Sequence, residues 1–315
     1  MTLTIGVDVG GTKVAGGVVD EAGEVLAMVR RDTPAEDVGK TRDVIVEVVT
    51  ELAADRRIEA VGIGAAGWID ASRAVVLFAP NIAWRDEPLR DYVSSAVDLP
   101  VIVENDANVA AWAEFRYGAA RAADDSMVMF TIGTGVGGGI VLGGELLRGA
   151  HGIAAELGHM LAVPGGHQCG CGRLGCLEQY GSGSALVRFA RAGARQEPNR
   201  AVRLLGLADG DPDAATGRMF TADAQDGDQV SVEAFAQLGK WLGMALADMA
   251  QILDPQVLVV GGGVIDAGEL LLGPTNRSYV EALAQRGRLP VASIRPAELS
   301  NTAGVVGAAD LARRR

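Results

Sequence analysis

His159, Cys169, Cys171 and Cys176 fall within eighteen residues. Glycines at 170, 172 and 175 let the intervening chain bend back on itself. Three thiolates and one imidazole make a four-ligand tetrahedral zinc set, and filling every position with protein points to structural rather than catalytic metal. The alternative is three buried free thiols and an unrelated histidine. Confinement of every cysteine to one short loop argues against it. His151 and His167 lie nearby and rank below His159 as ligands. Two carboxylates, Glu156 and Glu178, bracket the set. They are either solvated surface or a pair held toward a polyol, because ionised carboxylates only accept hydrogen bonds and sugar hydroxyls can donate them.

Other polar groups follow apolar runs. Asp8-Val9-Gly10-Gly11-Thr12-Lys13 ends the first run. There Gly10 and Gly11 allow backbone N–H groups to approach phosphate, Thr12 adds a hydroxyl, Lys13 adds charge, and Asp8 suits a Mg²⁺ shell. A tight hairpin whose glycines merely supply positive φ stands equally open. Thr131-Ile132-Gly133-Thr134-Gly135-Val136-Gly137-Gly138-Gly139 is a second such stretch, with Thr131, Gly133, Thr134, Gly135 and Gly138 as phosphate-side candidates. It contains a G-x-G-x-x-G spacing, but the apolar run Ile140-Val141-Leu142 continues as strand where a dinucleotide fold needs a helix. Gly262 and Gly263, at a third strand end, suit the edge of an adenosine pocket. Glu104-Asn105-Asp106-Ala107-Asn108 follows the apolar run Pro100–Val103. Helix capping explains Asn and Asp there. A general base explains Asp106 as well, since the helix N-terminus favours the ionised carboxylate and a phosphoryl acceptor needs its hydroxyl oriented.

These groups need elements to hold them. Leu3, Ile5, Val7 and Val9 share one strand face. Val14–Val19 and Val25–Arg30 read as further strands, with a hairpin turn at Glu21–Gly23. Val44, Ile45, Val48 and Leu52 recur at helical spacing within Asp37–Ala54. Short strands are expected at Ala60–Ala65 and Val101–Glu104, then Met127–Ile132, a turn over Gly133–Gly139 and a strand to Leu142. A chain that twice runs strand, glycine turn, strand reads as two related α/β halves. Helices are expected over Ser182–Arg195 and Val232–Leu253, a strand over Val257–Val260 and a closing helix from about Thr302. Glu197–Asp228, rich in Asp, Gly, Ala and Pro, reads as a long mobile insertion.

The 315 residues are 49% hydrophobic and 22% charged, a globular composition. A net charge of −12 argues against nucleic acid as a partner, because phosphate contacts need a basic face. No apolar run approaches the roughly 20 residues of a membrane span. The N-terminus lacks the basic and apolar regions of a signal peptide, and three clustered cysteines suit a reducing compartment, so the expected location is the cytoplasm.

Taken together and in this order, the five stretches resemble the ROK family of sugar kinases and repressors. The resemblance is most specific where Glu156-x-x-His159 joins Cys169-x-Cys171-Gly-x-x-Gly-Cys176-x-Glu178. It implies an α/β, two-domain actin-like and hexokinase-like (ribonuclease-H-like) fold with an interdomain cleft. The implied division is a smaller domain of residues 1–117 plus 301–315 and a larger one, 118–300, with the zinc loop. It implies Asp106 as catalytic base and Gly67, Asn105, Asp106, Glu156, His159 and Glu178 as sugar ligands. His159, Cys169, Cys171 and Cys176 would hold Zn²⁺, and the glycine turns, Gly10–Thr12 and Thr131–Gly138, would hold Mg²⁺-ATP. One departure is Ala65-Ala66-Gly67, where many relatives carry Pro before the Gly. The implied reaction is phosphorylation of a hexose at its 6-hydroxyl, with glucose preferred; N-acetylmannosamine, fructose and mannose are the alternative acceptors. The implied assembly is a homodimer or homotetramer. The family's repressors carry a DNA-binding domain ahead of the first glycine turn. Asp8 stands too near the start to expect one, which leaves a sugar-sensing regulator as the lesser alternative.

Overall fold

The computed structural model describes residues 2–284 and 291–314. Its strands are β1 (Leu3–Val9), β2 (Lys13–Val19), β3 (Val25–Asp32), β4 (Ile58–Ala65), β5 (Trp68–Ile69), β6 (Val76–Phe78), β7 (Arg85–Glu87), β8 (Val101–Asn105), β9 (Met127–Ile132), β10 (Val136–Leu142), β11 (Glu145–Leu146), β12 (Val257–Gly261) and β13 (Ser293–Pro296). Its helices are α1 (Val38–Ala53), α2 (Leu89–Val97), α3 (Asp106–Arg116), α4 (Glu178–Gly181), α5 (Gly183–Gln196), α6 (Val202–Leu207), α7 (Gly217–Gln225), α8 (Gln229–Leu253), α9 (Glu269–Leu283) and α10 (Ala303–Arg313). The chain divides into two compact units. One comprises Met1–Met129, Gly138–Ala155 and Ala297–Arg315; the other comprises Phe130–Gly137 and Glu156–Pro296.

In the first unit the strand order is β3-β2-β1-β4-β8. Strands β1, β2 and β3 pair antiparallel, whereas β4 lies parallel to both β1 and β8. Alternation explains the two faces. Ile5, Val7 and Val9 join Ile45, Val48 and Val49 of α1 in one core cluster. The opposite face carries Gly6 and Gly62, and α10 lies directly on them. A Cβ at Gly6 would fall 1.8 Å from the Val305 carbonyl oxygen, and one at Gly62 would fall 1.9 Å from that of Ala308. No other residue type permits that approach of helix to sheet. The α1 helix starts where Asp37 accepts from the Lys40 N–H at 3.0 Å, a polar residue capping the first turn.

A second five-stranded sheet has the order β11-β10-β9-β12-β13. In the second unit, α8 carries Gly239 and Gly243 toward α9, and a Cβ at Gly243 would lie 2.4 Å from the Thr275 carbonyl oxygen. A small three-stranded sheet, β5-β6-β7, also lies in the first unit.

Two expectations need correction. Strand β10 begins at Val136, so the turn is Gly133–Gly135 and Gly137, Gly138 and Gly139 are strand residues. Gly139 serves a close approach: a Cβ there would lie 2.4 Å from the Ala111 methyl and 3.1 Å from the Ala107 carbonyl oxygen of α3. Residues 197–228 are not a long loop but contain α6 and α7. Leu204, Ala208, Ala215, Phe220 and Ala224 turn inward and are buried, whereas Val202 and Leu207 of α6 are exposed. Asp211, which accepts from the Asp213 N–H, and Pro212 start a short 3-10 turn between the helices rather than a disordered run. Among the described residues no helix is long and apolar enough to cross a membrane.

Candidate active site

In the first unit, the end of β8 and the start of α3 place Asn105 and Asp106 side by side. Asn105, rather than Asp106, is the cap: its Oδ1 accepts from the Asn108 N–H at 3.0 Å. Its Nδ2 donates to the Gly67 carbonyl oxygen at 3.0 Å and to Asp106 Oδ1 at 3.1 Å. Asp106 is the first helical residue, and the Ala107 N–H also reaches its Oδ1, at 2.9 Å. Both contacts fall on one oxygen. The carboxyl is lifted from its ordinary 3.8 to about 6, first by burial and then by the charge of Asp8, with the Ala107 and Asn105 hydrogen bonds opposing the rise. Burial raises the Asp8 carboxyl too, against the pull of Lys13. Asp106 is therefore a base with an affinity for protons well above that of a surface carboxylate.

Gly67 has φ +146, and a Cβ there would sit 2.2 Å from the Phe78 carbonyl oxygen, so the fold itself demands glycine. Gly10 and Gly11 differ. Neither is among the positive-φ residues, so the hairpin they form does not call for glycine through a left-handed backbone. A Cβ on Gly10 would meet nothing nearer than the Lys13 carbonyl oxygen at 3.7 Å. The Gly10 N–H closes the turn onto Lys13, at 3.0 Å, and Thr33 Oγ1 donates to the Gly10 carbonyl oxygen at 2.7 Å. Thr12 and Lys13 are exposed.

The second unit holds the other turn. Gly133 and Gly263 have no atom within 4 Å of where a Cβ would stand, whereas Gly262, with φ +84, is pressed against the Ile132 backbone. Open space beside Gly10, Gly133 and Gly263 is what a phosphate- or nucleotide-binding surface requires, since protein packing does not call for glycine at these three positions. The Gly133–Gly135 turn is fastened to the start of α5. The Gly183 N–H reaches the Gly133 carbonyl oxygen at 2.8 Å, and Ser184 Oγ reaches that of Thr134 at 2.8 Å. Ser182 caps the helix by accepting from the Ala185 N–H at 3.1 Å. An N-terminus with its partial positive charge thus adjoins the turn. Sequence spacing gives Ser184 no part in this turn, and the Ser182-Gly183-Ser184 run at the expected helix start is the available signal. Thr131 lies at the end of β9, and Gly138 is buried within β10.

The zinc candidates come together. One donor atom from each of His159, Cys169, Cys171 and Cys176 lies within 4.8 Å of the other three. Cys171 Sγ and Cys176 Sγ are 3.6 Å apart, and Cys169 Sγ is 3.7 Å from His159 Nδ1. Ligands about 2.3 Å from a tetrahedral ion stand about 3.8 Å from one another, so the set fits Zn²⁺. Burial, followed by the hydrogen bonds it donates to Cys171 and Cys169, pushes the Cys176 thiol up to about 12. Without metal that site holds a neutral thiol, and a bound ion would displace the proton. His167 instead packs at a tilt against Tyr180, with ring centroids 5.5 Å apart, and neither it nor His151 joins the donor group.

His159 offers Nδ1 to the thiols and leaves Nε2 3.8 Å from Glu156 Oε2. Glu178, at the start of α4, is engaged by the protein itself. Its Oε2 accepts from the Val136 N–H at 3.2 Å and its Oε1 lies 3.6 Å from Cys169 Sγ. It therefore ties the cysteine loop to the second glycine turn, a link that linear spacing does not reveal.

Comparison with known proteins adds to this geometry. The ROK family model matches residues 4–315. A glucokinase of Streptomyces coelicolor is 48% identical, over 99% of this chain and 98% of its own. An N-acetylmannosamine kinase of Yersinia pseudotuberculosis is 33% identical over 82% of each chain. The crystal structure of a ROK family glucokinase from Streptomyces griseus, in complex with glucose and AMPPNP, superposes with a TM-score of 0.88 at 50% identity, covering 99% of this chain and all of the other.

Proposed function

Since this chain belongs to the ROK family, we propose that it transfers the γ-phosphoryl group of ATP to the 6-hydroxyl of glucose. The observation that carries the reading is Asp106: a half-buried carboxylate with a raised proton affinity, set at a helix N-terminus beside Asn105 and Gly67. In the proposed step the glucose O6 attacks the γ-phosphorus, and its proton passes to Asp106. The bond from the γ-phosphorus to the β,γ-bridging oxygen breaks, and ADP leaves with that electron pair. Positioning and charge stabilisation do most of the catalytic work in such transfers. Backbone N–H groups of the turns at Gly10–Thr12 and Gly133–Gly135, with the Thr12 and Thr134 hydroxyls and Lys13, suit the phosphates. Gly262 and Gly263 suit the nucleoside. Mg²⁺, with Asp8 in its shell, would neutralise phosphate charge when bound.

Gly67, Asn105, Glu156, His159 and Glu178 are the proposed sugar contacts. Zn²⁺ at His159, Cys169, Cys171 and Cys176 would hold the loop that carries three of them. Identity of 48% to a glucokinase, against 33% to an N-acetylmannosamine kinase, supports glucose as the acceptor. A coupled ADP-release assay over glucose, mannose, fructose and N-acetylmannosamine tests the choice. Highest kcat/KM for glucose is expected; a higher value for any other sugar would reassign the substrate.

A further inference from the structure

A buried carboxylate precedes the cap of α3. Glu104 closes the apolar run Val101-Ile102-Val103 and is 1% exposed. Its Oε1 accepts from the Asn105 backbone N–H and from Asn108 Nδ2, each at 3.0 Å. Its Oε2 lies 3.0 Å from Arg73 Nε and 2.6 Å from Arg148 Nε. Arg148 turns its terminal nitrogens elsewhere, to the carbonyl oxygens of Ala71 at 2.8 Å and Asp70 at 2.9 Å. Its Nε therefore meets Glu104 off the hydrogen-bond axis, as a charge contact. Arg73 has φ +57, a conformation that non-glycine residues rarely hold without support, and its carbonyl oxygen accepts from the Val103 N–H at 3.0 Å. Three segments of the first unit thus converge on one carboxylate.

Stability alone does not explain the cluster. Buried ion pairs are commonly no more stabilising than apolar side chains of the same volume, so their value lies in direction and placement. The direction here is toward the base. Glu104 holds the Asn105 peptide and the Asn108 side chain; Asn105 holds the Asn108 N–H and Asp106 Oδ1. The chain of hydrogen bonds runs unbroken from Arg73 to the carboxylate of Asp106, and Arg148 adds a charge contact at Glu104.

We propose that Glu104, backed by Arg73 and Arg148, is a positioning residue that fixes the strand-to-helix junction and thereby aims Asp106 at the attacking hydroxyl. The proposal rests on Asp106 being the base. Steady-state kinetics in glucose and in ATP would compare wild type with Glu104→Ala, Glu104→Gln, Asp106→Ala and Arg42→Met. Arg42 pairs with the buried Glu87 at 3.1 Å elsewhere in the same unit and controls for loss of a buried ion pair. Misplacement of a reacting group by about 1 Å costs on the order of 10²-fold, so Glu104→Ala should lower kcat by about 10- to 100-fold with both KM values within about threefold. Glu104→Gln should lose less, because its carbonyl oxygen still accepts from Asn105 and Asn108 while its amide faces two guanidinium groups. Arg42→Met should keep kcat per folded molecule. Wild-type kcat in Glu104→Ala, or an equal loss in Arg42→Met, overturns the proposal. Should Glu104→Ala not fold, wild-type kcat in Glu104→Gln overturns it instead. Near-normal turnover in Asp106→Ala would sink the base assignment itself, a separate outcome.

Discussion

Replacing Asp106 by Asn should stabilise the protein while it destroys turnover. The carboxyl titrates at about 6 in the fold against an ordinary 3.8, so the folded state resists its ionisation. Between those two values the folded protein binds more protons than the unfolded chain, and stability falls as pH rises. The loss accumulates from about pH 4 to pH 6 and is complete by about pH 7. At about 1.4 kcal/mol per pH unit the displacement amounts to about 3 kcal/mol, of which solvent access to a half-buried group leaves about 2–3. Asn carries no such penalty. Both hydrogen bonds to Asp106 converge on Oδ1, so the Asn carbonyl oxygen can keep the Ala107 and Asn105 contacts. Urea unfolding of the ligand-free protein, wild type against Asp106→Asn, would be measured from pH 4 to pH 8. The variant should match wild type near pH 4 and exceed it by about 2–3 kcal/mol above pH 7, with kcat lowered at least about 10²-fold. A variant less stable than wild type at pH 7.5, or a pH-independent difference, would refute the electrostatic argument.

The same carboxyl predicts an acid limb: kcat/KM for glucose should fall about tenfold per pH unit below about 6, measured in a coupled assay. Elemental analysis should find about one zinc per chain, and Cys171→Ser should lose it together with sugar affinity, because Cys171 Sγ stands 3.6 Å from Cys176 Sγ in the donor group. Gly133→Ala should change stability by less than about 0.5 kcal/mol yet raise the KM for ATP, since its Cβ meets no protein atom within 4 Å. Gly135→Ala should raise both the sugar and the ATP KM, because its Cβ would stand 2.3 Å from Glu178 Oε2 and drive that carboxylate from the Val136 N–H.

Local chemistry was legible in the sequence wherever the interacting residues were neighbours. Alternating Leu3, Ile5, Val7 and Val9 declare β1, because one face of that strand is buried against α1. The donor group of His159, Cys169, Cys171 and Cys176 is confined to one loop, so composition and spacing suffice. Long-range packing was less legible. Gly137–Gly139 look like turn residues, yet they lie in β10, with Gly139 close against α3, and only the fold shows the helix it meets. Residues 197–228 hide two helices because their apolar side chains are sparse and need partners from outside the segment. Glu104 was visible as a charge at the end of an apolar run, but Arg73 and Arg148, its partners, are far away in sequence. Likewise the link from Glu178 to Val136 crosses 42 positions and has no linear signature.

The central claim is Asp106-dependent transfer from ATP to the 6-hydroxyl of glucose. Phosphorus NMR of the products from glucose and Mg²⁺-ATP, with wild type and Asp106→Ala side by side, tests it most directly. Wild type should give glucose 6-phosphate and ADP in equal amounts, and the variant at least about 10²-fold more slowly. Phosphate on another hydroxyl, release of inorganic phosphate in place of a sugar phosphate, or equal rates in the two proteins would contradict the account.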